Sequence, residues 1–368
     1  MTTAAANVGG RRRSAASEFL AAVGTIMVKE LRSRMRGRRA FVVLTAYLGL
    51  LALVTYGAYL AVAPQAREAA ASGIGEGFQQ ANASALVGQT IFAVLSILQI
   101  VLVCVIAPAF TAGQISLERE KQTLDLLIST PLRPGAIVVG KLATALAFVV
   151  LMILAAIPIS AIVLMYGGAE VADIVRQQFV LLSTAIGFGA IGIFASALMK
   201  RTQAATVLTY SVVIACILGS AMLFGFWQTI AQREDPLGLR PNGGAPEQVR
   251  YLNPMVAMLD VVAAVEPAGG TRMTRPLYEI FGPDLGVGIT ATDGIGPDDG
   301  VVDPVIRDTR LTGYWWARIS VSFLVLAVVL TLVSMRLVVP TGMRWAFRRR
   351  ARTFDAVDGA ATIEERAP

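Results

Sequence analysis

The residues best placed to do chemistry form one run, Gly135-Ala-Ile-Val-Val-Gly140-Lys141-Leu142, one residue short of the phosphate-cradling pattern G-x-x-x-x-G-K-[ST]. There the lysine reaches the terminal phosphates and the closing hydroxyl holds magnesium. Leu142 has no hydroxyl, and the run enters an apolar stretch with no strand before it, so a nucleotide site fails on chemistry and on context. The chain has no histidine, which removes every His-based triad, His-ligated metal site and His proton relay. Its two cysteines, Cys104 and Cys216, lie in apolar runs without metal-ligand spacing. Asp298-Asp299-Gly300 lacks the alternating acids of a calcium loop. The expectation is a chain with no catalytic, cofactor or metal site of its own.

What must position these residues is mostly apolar. Of 368 residues, 55% are hydrophobic and 15% charged, and the mean hydropathy is +0.64. A soluble chain has no place for that much apolar surface, whereas a bilayer requires runs of about 20 apolar residues. Six such runs stand at 40–63, 86–112, 138–165 with a kink near Pro158, 179–199, 205–226 and 314–339. The fold class expected is all-α: a polytopic membrane protein with six transmembrane helices, an N-terminal amphipathic interfacial helix, and a charged helix of about 116–130 between spans 2 and 3. Residues 1–39 form a basic segment, 40–226 hold spans 1–5, 227–313 make one long loop, 314–339 hold span 6, and 340–368 form a basic tail. The first 39 residues carry nine Lys or Arg, and the apolar run after them is too long for a secretory h-region.

Basic residues mark the side of each flank. Nine precede span 1. Arg119, Lys121, Arg133 and Lys141 lie between spans 2 and 3, Lys200 and Arg201 between spans 4 and 5, and Arg344, Arg348, Arg349, Arg350 and Arg352 after span 6. The short alternate loops hold only Arg67 and Arg176. Both termini are therefore expected in the cytoplasm, with the chain in the cell inner (plasma) membrane. The net charge of +7 reads as topology signalling and implies no nucleic-acid partner.

The middles of the spans contain no Asp, Glu or Lys, which counts against a secondary transporter. Gln89, Gln99 and Thr184 are expected to hydrogen-bond between helices, and Gly187, Gly189, Gly192 and Ser196 to let helices approach closely. Trp227, Tyr314, Trp315, Trp316 and Trp345 fit an interfacial aromatic belt. The long loop carries twelve acids against seven arginines. Within it, 251–265 is apolar but too short to span, and reads as a re-entrant or interfacial helix; 282–300 reads as turns or partial disorder.

Residues 17–36 have helical periodicity, with Leu20, Val23, Met27 and Leu31 on one face and Lys29, Arg32 and Arg36 opposite. This pattern suits a helix lying in the cytoplasmic interface of the lipid bilayer, the alternative being a plain basic flank.

The connection 112–141 sets the charges Glu118, Arg119, Glu120 and Lys121 among Leu117, Leu124, Leu127 and Ile128, then stops at Thr130-Pro131 and Pro134-Gly135. By pattern alone it is either a docking surface or a solvated linker. Glu118-Arg119-Glu120, the run Thr123-Leu124-Asp125-Leu126-Leu127-Ile128-Ser129-Thr130-Pro131-Leu132, and Gly140-Lys141 at the head of span 3 resemble the same connection in type-2 ABC exporter permeases. One extra residue stands between the leucines and Pro131, and Gln122 stands where the family often has glycine. The resemblance implies two six-span permease subunits, alike or different, lining the pathway. It also implies a separate ATP-binding-cassette ATPase subunit docked on Glu118, Arg119, Glu120, Lys121, Thr123, Leu124, Leu127 and Pro131. ATP and magnesium would be bound by that partner. The long loop resembles the family's larger members, which implies small lipophilic, peptide or ion cargo. A membrane scaffold or sensor, an ATPase-independent channel or carrier, and a membrane hydrolase are the competing readings; the last lacks a visible base.

Overall fold

In a solvent that offers no hydrogen bonds, a chain must satisfy its backbone internally, and a helix does so locally. The computed structural model describes residues 24, 28, 38–71, 76–123, 134–234, 247–265, 275–281 and 315–338, and among them there are helices and no strand. In chain order they are α1 (Arg38–Ala71), α2 (Glu76–Thr111), α3 (Ser116–Glu120), α4 (Pro134–Ala155), α5 (Ile157–Tyr166), α6 (Val171–Leu198) and α7 (Thr202–Ile214). A π-helical turn (Ala215–Gly219), α8 (Ser220–Glu234), a 3-10 turn (Glu247–Leu252), α9 (Pro254–Val265), α10 (Arg275–Phe281) and α11 (Trp315–Val338) follow. Six stretches are long and apolar enough to cross a membrane, and they fall on the six expected spans: α1, α2, α4 with α5, α6, α7 through α8, and α11.

The ends of the spans move where polar residues build a cap that hydropathy does not register. Span 4 begins at Val171 rather than 179, because the Asp173 carboxylate accepts the Glu170 N–H at 3.0 Å and pairs with Arg176 at 2.8 Å. Span 1 runs on through Pro64 to Ala71. Span 3 breaks at Ala156, between α4 and α5, two residues before Pro158, whose ring cannot accept the preceding helical turn. Gly167 and Gly168 then turn the chain at φ +80° and +84°, values that favour glycine.

Span 4 is the hub. Of its most apolar stretch 78% is buried, against 11% for span 1, which packs chiefly on span 2. The small residues of span 4 each receive a different neighbour. Gly187 lies under Phe323 of span 6, Gly189 under Leu146 of span 3, and Gly192 under Thr111 at the end of span 2. Phe188 also meets Phe323 edge-on at 5.3 Å between ring centres. Helices that share no apolar driving force in lipid associate through such close approaches and through interhelical hydrogen bonds. Of the residues expected to bond between helices, Gln99 does so: its Oε1 accepts from Gln177 Nε2 at 3.1 Å, fully buried between spans 2 and 4.

The apolar segment of the long loop folds as α9, buried on nearly every side against α2, α6, α10 and α11 at the opposite end of the bundle from α3. Tyr251 and Trp315 meet at a tilt there, 5.9 Å between ring centres, and Trp316 meets Phe179 edge-on at 6.0 Å, so these tryptophans pack on the chain itself. The interval 282–300 lies outside the described residues. So do Leu20, Val23, Met27, Lys29, Leu31 and Arg32 of the expected interfacial helix, of which only Gly24 and Val28 are described, both helical.

The expected helix of about 116–130 requires correction. The described helix is five residues long and ends at Glu120. Gln122 then adopts φ +55°, its N–H bonds to the Arg119 carbonyl at 3.1 Å, and the Thr123 N–H bonds to the Glu118 carbonyl at 3.0 Å. Those two bonds and the left-handed residue make a Schellman turn, which closes a helix and redirects the chain. Residues 124–133, and with them Leu124, Leu127 and Pro131, lie outside the described residues.

Candidate functional site

Four spans converge on the short helix α3. Span 2 enters it covalently: α2 ends at Thr111, and the chain turns through Ala112 to Ile115. The first N–H groups of a helix have no partner within it and need an acceptor from elsewhere. Ser196, near the end of span 4, provides one. Its Oγ accepts the Ile115 N–H at 2.8 Å and the Ser116 N–H at 2.9 Å, and its own proton goes to Ser116 Oγ at 3.2 Å. Gly192 lies one turn earlier on the same face. A Cβ there would run into Thr111 and stand 3.1 Å from the Ala112 nitrogen, so only glycine lets span 4 come close enough for Ser196 to reach.

The contact continues into span 5. Ser116 Oγ donates to Thr202 Oγ1 at 3.5 Å, and the Thr202 hydroxyl donates to the Glu120 carboxylate at 2.9 Å. The other Glu120 oxygen accepts the Thr202 N–H at 2.7 Å. Thr202 is the first residue of α7, so a carboxylate stands at the positive end of a helix dipole while it satisfies an otherwise unpaired N–H. Ser196, Ser116, Thr202 and Glu120 thus form one run of hydroxyls ending on a carboxylate.

Span 3 is joined by charge. Lys141, the lysine of the false phosphate pattern, is 3% exposed and places Nζ 2.7 Å from Glu118 Oε1. Leu142 beside it is buried in the core. The lysine serves a carboxylate of its own chain.

Polar groups thus turn inward, and the remaining surface of α3 turns outward. Leu117 is 43% exposed, and Glu120, Lys121, Gln122 and Thr123 are exposed, with Arg119 half-buried. Thr123 also donates its hydroxyl to the Glu118 carbonyl at 3.3 Å. Among the residues singled out from sequence, Glu118, Arg119, Glu120, Lys121 and Thr123 are therefore gathered at one place. Glu118 and Glu120 are engaged by the chain's own spans. Three partners were missed. Ser196 and Lys141 were noticed for other reasons, as a packing residue and as part of a nucleotide pattern. Thr202 had one usable signal, a hydroxyl opening an apolar run straight after Lys200-Arg201.

Mechanically, the arrangement can transmit force. A displacement of α3 pulls on spans 2, 3, 4 and 5 through a covalent link, an ion pair and a chain of hydrogen bonds.

At the far end of the bundle a second carboxyl plays a comparable part. Asp260, 1% exposed in α9, accepts the Trp316 N–H at 3.0 Å and so caps the first turn of span 6. Burial pushes its carboxyl up to about 7, against the opposing pull of the Trp316 and Trp315 N–H groups and of Arg176. Among the described residues no group of His, Cys, Asp or Glu could hold a metal ion.

A comparison with protein families finds that the family model described as ABC-2 family transporter protein matches residues 24–350. No curated protein matches the chain.

Proposed function

Because the chain belongs to the ABC-2 family of transporter proteins, and is thus a multi-pass membrane permease, we propose that it is the membrane subunit of an exporter driven by a separate ATP-binding-cassette ATPase. The observation that carries this reading is the α3 junction. Its outward face presents Leu117 and exposed polar side chains, while its inward face grips three spans besides the one that leads into it. A soluble partner pushing there would move the bundle as a rigid body, which is how a two-state coupled change reaches distant helices. The ATPase binds ATP and magnesium, and this chain supplies the pathway together with a second permease subunit, identical or different.

Orientation follows from the basic flanks: α3 and both termini face the cytoplasm, α9 faces outside, and the membrane is the cell's inner (plasma) membrane. The docking segment runs from Leu117 to Leu132, with Leu124, Leu127 and Pro131 as its apolar part. Burying two leucines is worth about 3–6 kcal/mol before ordering costs, enough to decide assembly. Exposed ion pairs made by Arg119 or Lys121 with the partner contribute under about 1 kcal/mol each.

The test is copurification. The ATPase should stay with the wild-type chain in detergent and be lost with Leu124→Asp combined with Leu127→Asp, while membrane insertion persists. If that variant retains its ATPase and transports normally, the segment is not the coupling element and the proposal loses its main support. The isolated chain should hydrolyse no ATP.

A further inference from the structure

The fifth span passes through a π-helical turn partway along, at Ala215–Gly219. A π-helical turn inserts a residue, widens the helix and leaves carbonyls without their usual donor. Two side chains supply donors here. Ser220 Oγ donates to the carbonyls of Cys216 and Ile217 from within the helix. Asn253 Nδ2 donates to the Ile217 carbonyl at 3.1 Å from the outer segment, 36 residues away.

Asn253 is 1% exposed and does two things at once. Its Oδ1 accepts the Met255 N–H at 3.0 Å, which caps the start of α9. Its Nδ2 holds span 5. The surroundings of Asn253 are in turn tied to span 6, where Ser322 Oγ donates to the Tyr251 carbonyl at 2.9 Å and Asp260 caps the helix. Arg250 lies over the Phe224 ring at 4.0 Å, adding a contact between the same segment and the outer half of span 5. A small cleft lined by Ser220, Phe224, Arg250, Asn253 and Ile280 follows this seam. The other side of span 5 is bare: Ile214, Leu218, Met222, Leu223 and Phe226 are exposed.

We propose that Asn253 is a positioning residue for transport, a latch whose amide holds span 5 in the π register. Breaking the Asn253–Ile217 bond lets the segment relax to α-helix and turns the outer part of the span relative to the inner part. At 3.6 residues per turn a one-residue change of register is a rotation of about 100°, enough to exchange which side chains of α8 face outward. This inference rests on the transport reading for its consequence, but the latch itself is tested on the chain alone.

Cys216 lies inside the π segment and serves as the reporter once Cys104 is replaced by alanine. Asn253→Asp keeps an acceptor for the Met255 N–H and loses the donor to Ile217; Asn253→Ala loses both. In membranes, alkylation of Cys216 by a permeant maleimide should speed up about fivefold in both variants, the factor that one lost hydrogen bond places on a two-state equilibrium. In the complex, ATP should alter the Cys216 alkylation rate of the wild-type chain and leave both variants unaffected. If Asn253→Asp labels like the wild type while Asn253→Ala labels faster, the residue is only a helix cap and the latch is overturned. Equal labelling in all three overturns it as well. Loss of the ATPase from the wild-type chain would instead sink the transport reading, and the labelling of the isolated chain would still decide the latch.

Discussion

Removing either member of the Lys141–Glu118 pair should cost unequal amounts, and the inequality can be worked from the structure. The Lys141 side chain is 4% exposed and that of Glu118 27%, with 2.7 Å between the charged atoms. A hydrogen bond to a charged group contributes about 1.5–3 kcal/mol, and breaking a fully buried pair costs about 3–5 kcal/mol because the surviving charge stays in low dielectric. Glu118→Gln leaves the buried ammonium without its carboxylate and should destabilise by about 2–3 kcal/mol. Lys141→Met keeps the aliphatic stem, and the surviving Glu118 still reaches water, so about 1–2 kcal/mol is expected. In the double variant both charges are gone, and the loss should fall short of the sum by about 1–2 kcal/mol. The assay is denaturant unfolding of the four proteins in detergent, followed by circular dichroism. ATP affinity of the complex with its ATPase should be unchanged throughout. A coupling energy under about 0.5 kcal/mol would refute the claim that this pair joins span 3 to α3. ATP binding by the isolated chain that Lys141→Met abolishes would restore the nucleotide reading rejected above.

Gln122→Gly should raise the melting temperature, because glycine adopts φ +55° without the cost of about 1 kcal/mol that a side chain incurs; Gln122→Val should lower it. Gly192→Ala should destabilise by more than about 2 kcal/mol and reduce ATPase copurification, since the new methyl would push Thr111 and the Ala112 backbone away from span 4. Asp260 tests linkage. Its folded carboxyl, raised to about 7, binds protons that the unfolded chain has released, so wild-type stability should fall as pH rises from about 4 to about 7. Asp260→Asn keeps an acceptor for the Trp316 N–H and cannot ionise, so its melting temperature should lack that slope and exceed the wild type's above pH 7. For orientation, with Cys104 and Cys216 replaced, a cysteine at Val171 should react with an impermeant maleimide from outside, and one at Lys121 only after the membrane is opened; the reverse pattern would invert the proposed topology.

The six spans were legible in sequence because insertion into a bilayer is decided by local composition: about 20 apolar residues bury themselves wherever the rest of the chain lies. The break near Pro158 and the short apolar helix in the long loop were legible for similarly local reasons, a missing N–H in one and insufficient length in the other. Span ends were less so: the Glu170–Asp173 cap rests on a hydrogen bond that hydropathy averages away, and the first helix runs on past Pro64. The inward roles at α3 could not be read at all. Ser196 meets Ile115 and Ser116 across about 80 residues, Thr202 meets Glu120 across 82, and Lys141 meets Glu118 across 23. Each partner is an ordinary polar residue at the end of an apolar run, and only the packing of span 4 against its neighbours sets the pairs within reach. Gln122 shows the same division. A glutamine carries no sign of a left-handed turn, yet the Schellman bonds hold it there and end the helix that periodicity would have continued. Asn253 and Asp260 owe their roles to α9 being packed between spans, where a buried amide or carboxyl must find a backbone partner. Composition thus determined what the chain dissolves in and how often it crosses, because those energies add residue by residue. The tertiary structure decided which polar groups act together, because a hydrogen bond depends on the placement of two groups and neither one specifies the other.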